Sequence, residues 1–567
     1  MTAGTSRNFR VRLAFWLLGA ALGFSQAWTA RFDADDNTVA YLDIGNNFFH
    51  GHYSAFINGF WSPLYSLLLS CPIAIFKPSL RWVYPTVHLW VFITFLLAMV
   101  CFDYFLGQLT RLRADSDPQK RSFSELDWVW ITIAYTVFLW SSLKWIEVSK
   151  VTVEFVIAAF FYLSCGLLVA ISAGRAQWKT FLTLGLLLGL TYLAKFILLP
   201  ICLFILVIAW IVAKEKSRYV VISAIAFFAI AMPFITALSI QRAKFTYGER
   251  ATYDYAVSVN RVPFYHYQGN AAMPLAHPTR KIFDRPATFA FEQPFAATYP
   301  PQYDISYWYE GTKPRVQFLH ELKVIGKNLY WEFATLFFSL DGILLATLFL
   351  LLYETGRGWQ ILKDVLRYWF LLLPSLAMAL LFASVFYLPE YLAASYVVLL
   401  VCLFFSAGFT VPKSRLLSGV AVLQLVMLIG LVIFPSLLHA VDIHPFHSRA
   451  NHRASYQQVA EQAIEMGLKP GDKIASLNYS NEQMAMWAYL ARVQIVAEVY
   501  YRADLLDGSS TNYWSVDPLT QKELMQKLAQ TGARAVVTQD HPTGPDAARW
   551  LQMGTTGFYL LWLKPAA

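Results

Sequence analysis

Three carboxylates fall within four residues, at Asp33, Asp35 and Asp36, directly after an apolar stretch long enough to cross a bilayer. Carboxylates this close repel one another. At a membrane surface such a cluster calls for a compensating cation, a metal or a role in proton transfer. A plainer use is open to the same residues: residues 37–49 are predicted to form a helix, and Asp is a good helix N-cap. The polar segment continues through Tyr41, Asp43, Asn46, Asn47, His50 and His52, and ends at Trp61-Ser62-Pro63-Leu64-Tyr65.

Two further charges sit at apolar boundaries. Glu154 opens an apolar run, where a helix N-terminus accepts an acid readily. Lys195 interrupts an apolar stretch of two predicted spans. An ammonium there is expensive, so it is either functional or snorkels to the interface. Asp442, His444, His447 and His452 have no recognised metal-ligand spacing and read as a polar linker. Cys71, Cys101, Cys165, Cys202 and Cys402 all lie in or beside apolar segments without a CxxC pair. They read as small core residues, not as a disulfide framework or zinc site. No GxGxxG follows a predicted strand, so a nucleotide site has no support.

The elements that must position these groups are set by composition. The chain has 567 residues, 57% apolar and 14% charged. A soluble domain is roughly 45–50% apolar and 25% charged. These figures exclude a disordered chain and argue for a polytopic α-helical membrane protein with soluble mass attached. At roughly 20 residues per crossing, spans are expected at 13–30, 81–108, 127–145, 150–172, 180–195, 197–213, 219–241, 331–353, 367–388, 391–410 and 416–438. Residues 13–30 also have the basic start and Ala-rich end of a signal peptide. The net charge of +9 needs no nucleic acid. Arg7, Arg10 and Arg12, the group from Arg111 to Arg121, and later short basic loops all fall on one side if the N-terminus is cytoplasmic. That requires one crossing between residues 31 and 108, so 63–76 is expected to be re-entrant or interfacial. Eleven spans then leave three outward regions: 31–62, 242–330 and everything beyond about 440.

The region 441–567 reads as a soluble α/β domain and 1–440 as the transmembrane domain. Helical stretches at Tyr456–Met466 and Leu519–Ala529 alternate with β-like runs at Lys473–Leu477, Val493–Val499, Ala533–Thr538 and Phe558–Leu563. This alternation predicts a small, mostly parallel sheet. The loop 242–330 is rich in Tyr and Pro and is expected to be an irregular, ordered lid. Its rings suit membrane interfaces as well as sugar faces. Asp254, His266 and Asp304 are its candidate site residues.

An outward first loop with an Asp-Asp pair, a helix, a Gly-His/Tyr turn and then Trp-Ser-Pro-Leu-Tyr resembles the GT-C clan of membrane glycosyltransferases. The clan includes protein O-mannosyltransferases, lipid A aminoarabinose transferases and mycobacterial arabinofuranosyltransferases. Two further stretches match. Glu147-Val148-Ser149-Lys150-Val151-Thr152-Val153-Glu154 is similar to a "Thr-x-Asp" helix start, with Glu154 as the acid. Gly189-Leu190-Thr191-Tyr192-Leu193-Ala194-Lys195-Phe196 is similar to a "Gly-Leu-x-x-Leu-x-Lys" break between short helices. The pattern covers roughly residues 10–240 and the rest more loosely. One stretch departs: Leu388-Pro389-Glu390-Tyr391 keeps the Glu and Tyr of a "Glu-x-Arg-Tyr" motif but lacks its Arg. Lys144, Lys150, Arg261, Arg280 and Lys281 are the available substitutes.

The resemblance implies a bacterial inner-membrane enzyme with its C-terminal domain extracytoplasmic (periplasmic). It would transfer a sugar from a polyprenyl-phosphate donor to a hydroxyl of a glycan, lipid or protein acceptor. A carboxylate, Asp35 first and Asp36 second, would act as general base in a single inverting displacement. Lys195 and Glu154, with Asp33, Tyr41 and His52, would bind substrate. The resemblance fixes no cofactor, and the acidic cluster could hold a divalent cation. The competing expectation is a transporter or flippase, which predicts internal repeats and midplane helix breaks. No repeat between the halves is evident, and this reading gives the outer regions no task.

Overall fold

The computed structural model describes residues 3–116, 127–262, 279–291, 297–304, 314–337, 359–385, 387–406, 449–477, 481–500, 513–544 and 546–563, with single positions at 419, 422 and 426. Most of the expected span 416–438, the end of 331–353, and His266, Asp442, His444 and His447 lie outside the described residues. Contacts divide the chain into two compact units. One comprises Met1–Ala30, His88–Ala251 and Gln317–Pro445, and the other Arg31–Val87, Thr252–Val316 and Phe446–Ala567.

The first unit is helical. Among the described residues, five stretches are long and apolar enough to cross a membrane: Leu80–Arg113, Trp128–Ile146, Glu154–Ser172, Phe196–Gln241 and Pro389–Ser406. Trp178–Ala194 and Trp369–Ala383 are shorter apolar helices. Together with the sheet described below, this is a multi-span α-helical membrane protein carrying an α/β domain. Close approach of the helices depends on small residues. A Cβ at Gly185 would lie 2.2 Å from the Ser223 carbonyl oxygen, and one at Gly189 would lie 2.6 Å from the Ile230 side chain. One charge inside this unit is matched within it: Asp103, in a predicted span, accepts from Arg12 at 2.5 Å and from the Tyr135 hydroxyl at 2.6 Å.

Two breaks in this unit matter for the site. The helix expected from residue 150 begins at Glu154. Before it, a turn places Glu147 at φ 67°. Gln26 holds that turn, donating to the Leu143 carbonyl and accepting from the Val148 N–H, each at 2.9 Å. The helix Trp178–Ala194 stops at Lys195, whose backbone is extended at φ −156°, ψ 104°. The chain resumes as helix at Leu199, with Pro200 in its first turn, a position where the missing N–H is no loss.

The second unit is built on a seven-stranded sheet with strands β1 (Thr279–Phe283), β2 (Thr288–Phe291), β3 (Lys473–Leu477), β4 (Gln494–Val499), β5 (Ala535–Thr538), β6 (Leu551–Gln552) and β7 (Tyr559–Trp562). Their order is β1-β2-β4-β3-β5-β7-β6. The expectation of a mostly parallel sheet is corrected. Only β3–β4 and β3–β5 pair in parallel, and the other four pairings are antiparallel. Parallel neighbours need a crossover helix. Asn481–Ala491 and Pro518–Gln530 supply these around β3, whereas β1–β2 and β6–β7 are joined locally. The β1–β2 hairpin comes from the segment expected to be an irregular lid, so residues 441–567 do not make the sheet alone. Ala475, Val496, Leu524, Val536 and Trp550 are among its buried core residues.

The first-loop helix Asp36–Phe49 packs on the helix Pro63–Phe76 in this unit. Gly45 permits the contact: a Cβ there would lie 2.2 Å from the Ser70 hydroxyl and 2.4 Å from the Ser66 carbonyl oxygen. The 14 residues of Pro63–Phe76 span about 21 Å, short of a hydrocarbon core of about 30 Å.

Candidate functional site

The acidic cluster lies at the start of the first-loop helix. Asp35 is its N-cap, with extended backbone at φ −127°, ψ 174°. Its Oδ1 accepts from the Thr38 N–H at 2.7 Å and from the Thr38 hydroxyl, and the Thr38 hydroxyl accepts weakly from the Asp35 N–H at 3.5 Å. This is a reciprocal capping box. The second oxygen, Oδ2, accepts from the Asn37 amide at 3.2 Å, and the residue is exposed. Asp36 is half-buried and accepts from the Asn37 N–H at 2.9 Å. Asp33 is also half-buried. The capping use foreseen for this cluster is therefore realised by Asp35, which still presents a carboxylate edge to solvent.

Tyr41 is an anchor within this unit. Its ring meets Trp61 and Tyr65 edge-on, each at 4.8 Å between centroids. His52 is exposed and precedes the short helix Tyr53–Phe56. Asp254 and Asp304 are buried.

A strap at residues 297–304 runs along the first-loop helix and the turn that follows it. The Thr298 N–H and hydroxyl donate to Asp43 at 2.8 and 3.1 Å. Asn47 donates to the Tyr303 hydroxyl at 3.2 Å, and Tyr303 in turn donates to the Ala55 carbonyl. Asn58 donates to the Tyr303 carbonyl at 2.8 Å, and the Trp61 indole to the Gln302 carbonyl at 2.7 Å. The Gln302 amide donates to Asn37 Oδ1 at 3.0 Å. The strap is also tied to the sheet, because the Ile495 N–H donates to the Thr298 carbonyl at 2.9 Å and the Tyr299 hydroxyl to Glu498 at 2.9 Å.

The sequence reading named Asp43 without giving it a role, and missed Asn37 and Gln302. Asp43 had a signal: it shares the buried side of the helix with Val39, Leu42 and Asn47, where an acid needs a partner. Burial pushes its carboxyl up to about 7, against the opposing effect of the Thr298 hydrogen bonds. Gln302 had none, since its partner lies 265 residues away.

The first unit gathers a second polar group at its two helix breaks. Lys195 Nζ lies 2.6 Å from Glu154, with only 17% and 3% of the two side chains exposed. The ammonium also sits 3.3 Å from the centroid of the Tyr391 ring and 5.0 Å from that of Phe382, a cation–π arrangement. Lys150 lies 2.8 Å from Glu147 and 3.9 Å from Glu390. Arg250 is close enough for its charge to act on Lys195. The structure thus brings Lys195 together with Glu154, and with the stretch Leu388-Pro389-Glu390-Tyr391 that lacks the expected Arg. Of the proposed substitutes, Lys150 joins this group. Lys144 instead lies over Trp140 at 5.0 Å, and Lys281 pairs with Asp284 at 3.2 Å.

Among the described residues, no group of three or more His, Cys, Asp or Glu side chains could hold a metal ion. The aspartates at 33, 35 and 36 do not converge as ligands, because Asp35 and Asp36 turn oxygens toward the amides of their own helix.

Comparison in three dimensions places this architecture. ArnT from Cupriavidus metallidurans matches in two crystal structures, one in the apo state and one bound to undecaprenyl phosphate. Each match has 12% sequence identity and a TM-score of 0.50, and covers 96% of this chain and 97% of that one. The chain has the fold of a GT-C membrane glycosyltransferase. An Archaeoglobus fulgidus oligosaccharyltransferase in complex with Zn and sulfate aligns less well, with 12% identity, 92% of this chain, 67% of that one and a TM-score of 0.48. No protein-family model and no curated protein matches the sequence. The GT-C fold extends beyond residues 10–240, where the sequence resemblance was clearest, to almost the whole chain.

Proposed function

We propose that this protein is a glycosyltransferase that moves a sugar from a polyprenyl-phosphate donor to an acceptor hydroxyl at the outer face of the membrane. The observation that carries the reading is the likeness, over 96% of the chain, to an ArnT structure holding undecaprenyl phosphate. In this reading the chain lies in the plasma (inner) membrane with its N-terminus cytoplasmic, and its first loop and α/β domain face outward. Asp35 accepts the proton of the acceptor hydroxyl through its exposed carboxylate edge, worth about 10²–10⁴-fold in rate. The hydroxyl attacks the anomeric carbon, the bond to the phosphate oxygen breaks, and the configuration inverts. Lys195 binds the donor's phosphate and offsets charge on it as it leaves. Glu154 holds the ammonium in place, and Tyr391 lies against it. The acceptor is a glycan, a lipid or a protein.

The test uses the full chain in lipid nanodiscs, a panel of synthetic undecaprenyl-phosphate-linked hexoses and pentoses, and an envelope extract as acceptor source. The expected result is extract-dependent release of undecaprenyl phosphate from at least one donor, lost in Asp35→Asn. A parallel arm with EDTA reads whether a divalent cation contributes. If no donor is turned over while proteoliposomes move one across the bilayer, the transporter reading replaces this one.

A further inference from the structure

The strap carries a feature that fold stability does not account for. Gln302 is only 6% exposed. Its amide Nε2 donates to Asn37 Oδ1 at 3.0 Å. Its Oε1 is buried with no partner among the described residues. An unsatisfied buried carbonyl costs about 1–3 kcal/mol, so an apolar side chain of similar volume would serve packing at least as well. A polar group kept at such a cost asks for another explanation.

The other end of the hydrogen-bond path supplies one. Asn37 uses its Oδ1 to receive Gln302 and its Nδ2 to donate to Asp35 Oδ2 at 3.2 Å. Because Oδ1 accepts from Gln302, the amide is oriented so that its donor faces the carboxylate. Without Gln302 nothing in this chain of bonds fixes that orientation, and a flipped Asn37 would turn its oxygen against Asp35. Thr38 fixes the opposite carboxylate oxygen. Asp35 is therefore gripped at both oxygens, by its own helix on one side and by the strap through Asn37 on the other. The Gln302 backbone is itself held by the Trp61 indole at 2.7 Å.

We propose that Gln302 is a positioning residue for the reaction: through Asn37 it sets the direction in which Asp35 presents its exposed carboxylate edge to the acceptor hydroxyl. The proposal rests on the reading of Asp35 as the base. Gln302 touches no reacting atom. It fixes the rotamer of the group that does, and small misplacements of such groups cost up to about 10²-fold.

The experiment compares the wild type, Gln302→Met, Asn37→Ala, Asp35→Asn and the double variant Asp35→Asn/Gln302→Met in the nanodisc assay, together with their melting temperatures. Gln302→Met is expected to lower kcat about tenfold with donor KM little changed and with thermal stability unchanged or raised. Measured on the residual turnover that Asp35→Asn retains after a loss of about 10²–10⁴-fold, it is expected to add no further loss. A fall in melting temperature that parallels the fall in kcat would mean that Gln302 is only a brace. An equal loss in the Asp35→Asn background would mean that it acts elsewhere. Either result overturns the proposal. If the wild type turns over no donor, the functional reading has failed. The link itself is then read by hydrogen exchange at Thr38, Val39 and Ala40, which quickens in Gln302→Met if the strap holds the helix start. Unchanged exchange sinks the proposal.

Discussion

Asp43→Asn should reverse a stability loss that the wild type suffers as pH rises. The Asp43 carboxyl is buried and its pKa is pushed up from 3.8 to about 7, while the unfolded chain ionises it near 3.8. Between those values the folded state binds one more proton than the unfolded state, so stability is full below about pH 4 and is lost as pH climbs through 7. Roughly three units at about 1.4 kcal/mol each gives about 4 kcal/mol. Asn fits the same space. One terminal atom can still accept the Thr298 N–H, and the amide can donate to the Thr298 hydroxyl, which rotates to accept. At about 2–4 °C per kcal/mol, the variant should melt about 10 °C above the wild type at pH 8 and close to it at pH 4.5. Intrinsic Trp fluorescence of nanodisc-held protein, scanned from pH 4.5 to 8, reads the difference. Parallel curves of melting temperature against pH for the two proteins, or a variant less stable at pH 8, would refute the reasoning.

Asp35→Asn should keep the melting temperature, because Asn caps a helix as well as Asp, while Asp35→Ala should cost about 1 kcal/mol by calorimetry. Both should lose transfer, and an active Asp35→Asn would remove the base from Asp35. Lys195→Met leaves Glu154 uncompensated in a buried position and should destabilise by about 3–5 kcal/mol. Lys195→Met/Glu154→Gln should regain most of that without regaining transfer, and equal melting of the single and double variants would count against the pair. Gly45→Ala should cost about 1–3 kcal/mol by overpacking against Ser66 and Ser70, whereas Gly107→Ala, with nothing within 4 Å, should not destabilise.

What could be read in advance was what depends on local pattern. The break at Lys195 follows from a charge set in an apolar run, and β3 matches the expected Lys473–Leu477 because a short run carrying Ile474, Ala475 and Leu477 follows the turn at Gly471. The capping use of Asp35 follows from its place before a periodic segment. What depends on distant partners was not legible. The hairpin β1–β2 has its edge completed by β4, more than 200 residues later. Its sequence, in a stretch dense in Tyr and Pro, carries no alternation strong enough to single it out. The ring of Tyr391 over Lys195 joins residues whose separate motifs were each noticed, but only folding sets them face to face. The missing Arg of the stretch 388–391 marked a departure from the family pattern without saying what takes its place.

The charges around Lys195 bear on that departure. Lys150, Lys195 and Arg250 are balanced by Glu147, Glu154 and Glu390, so the group is neutral when all six are ionised. If the donor's phosphate binds here as proposed, it meets cations whose carboxylate partners are already in place. Glu390 is the carboxylate with least claim on them: it is 3.9 Å from Lys150, which Glu147 already meets at 2.8 Å. Removing its charge leaves a net cation. A unit charge about 8 Å away at an effective dielectric of about 40 acts with about 1 kcal/mol, or roughly fivefold in affinity. At pH 8.5, with all six groups ionised, Glu390→Gln should therefore bind undecaprenyl phosphate about fivefold more tightly than the wild type in nanodisc titrations, while Lys195→Met/Glu154→Gln should bind it more weakly. Tighter binding by the second variant, or unchanged binding by both, would place the phosphate away from Lys195 and leave the buried pair as a fastening between two broken helices.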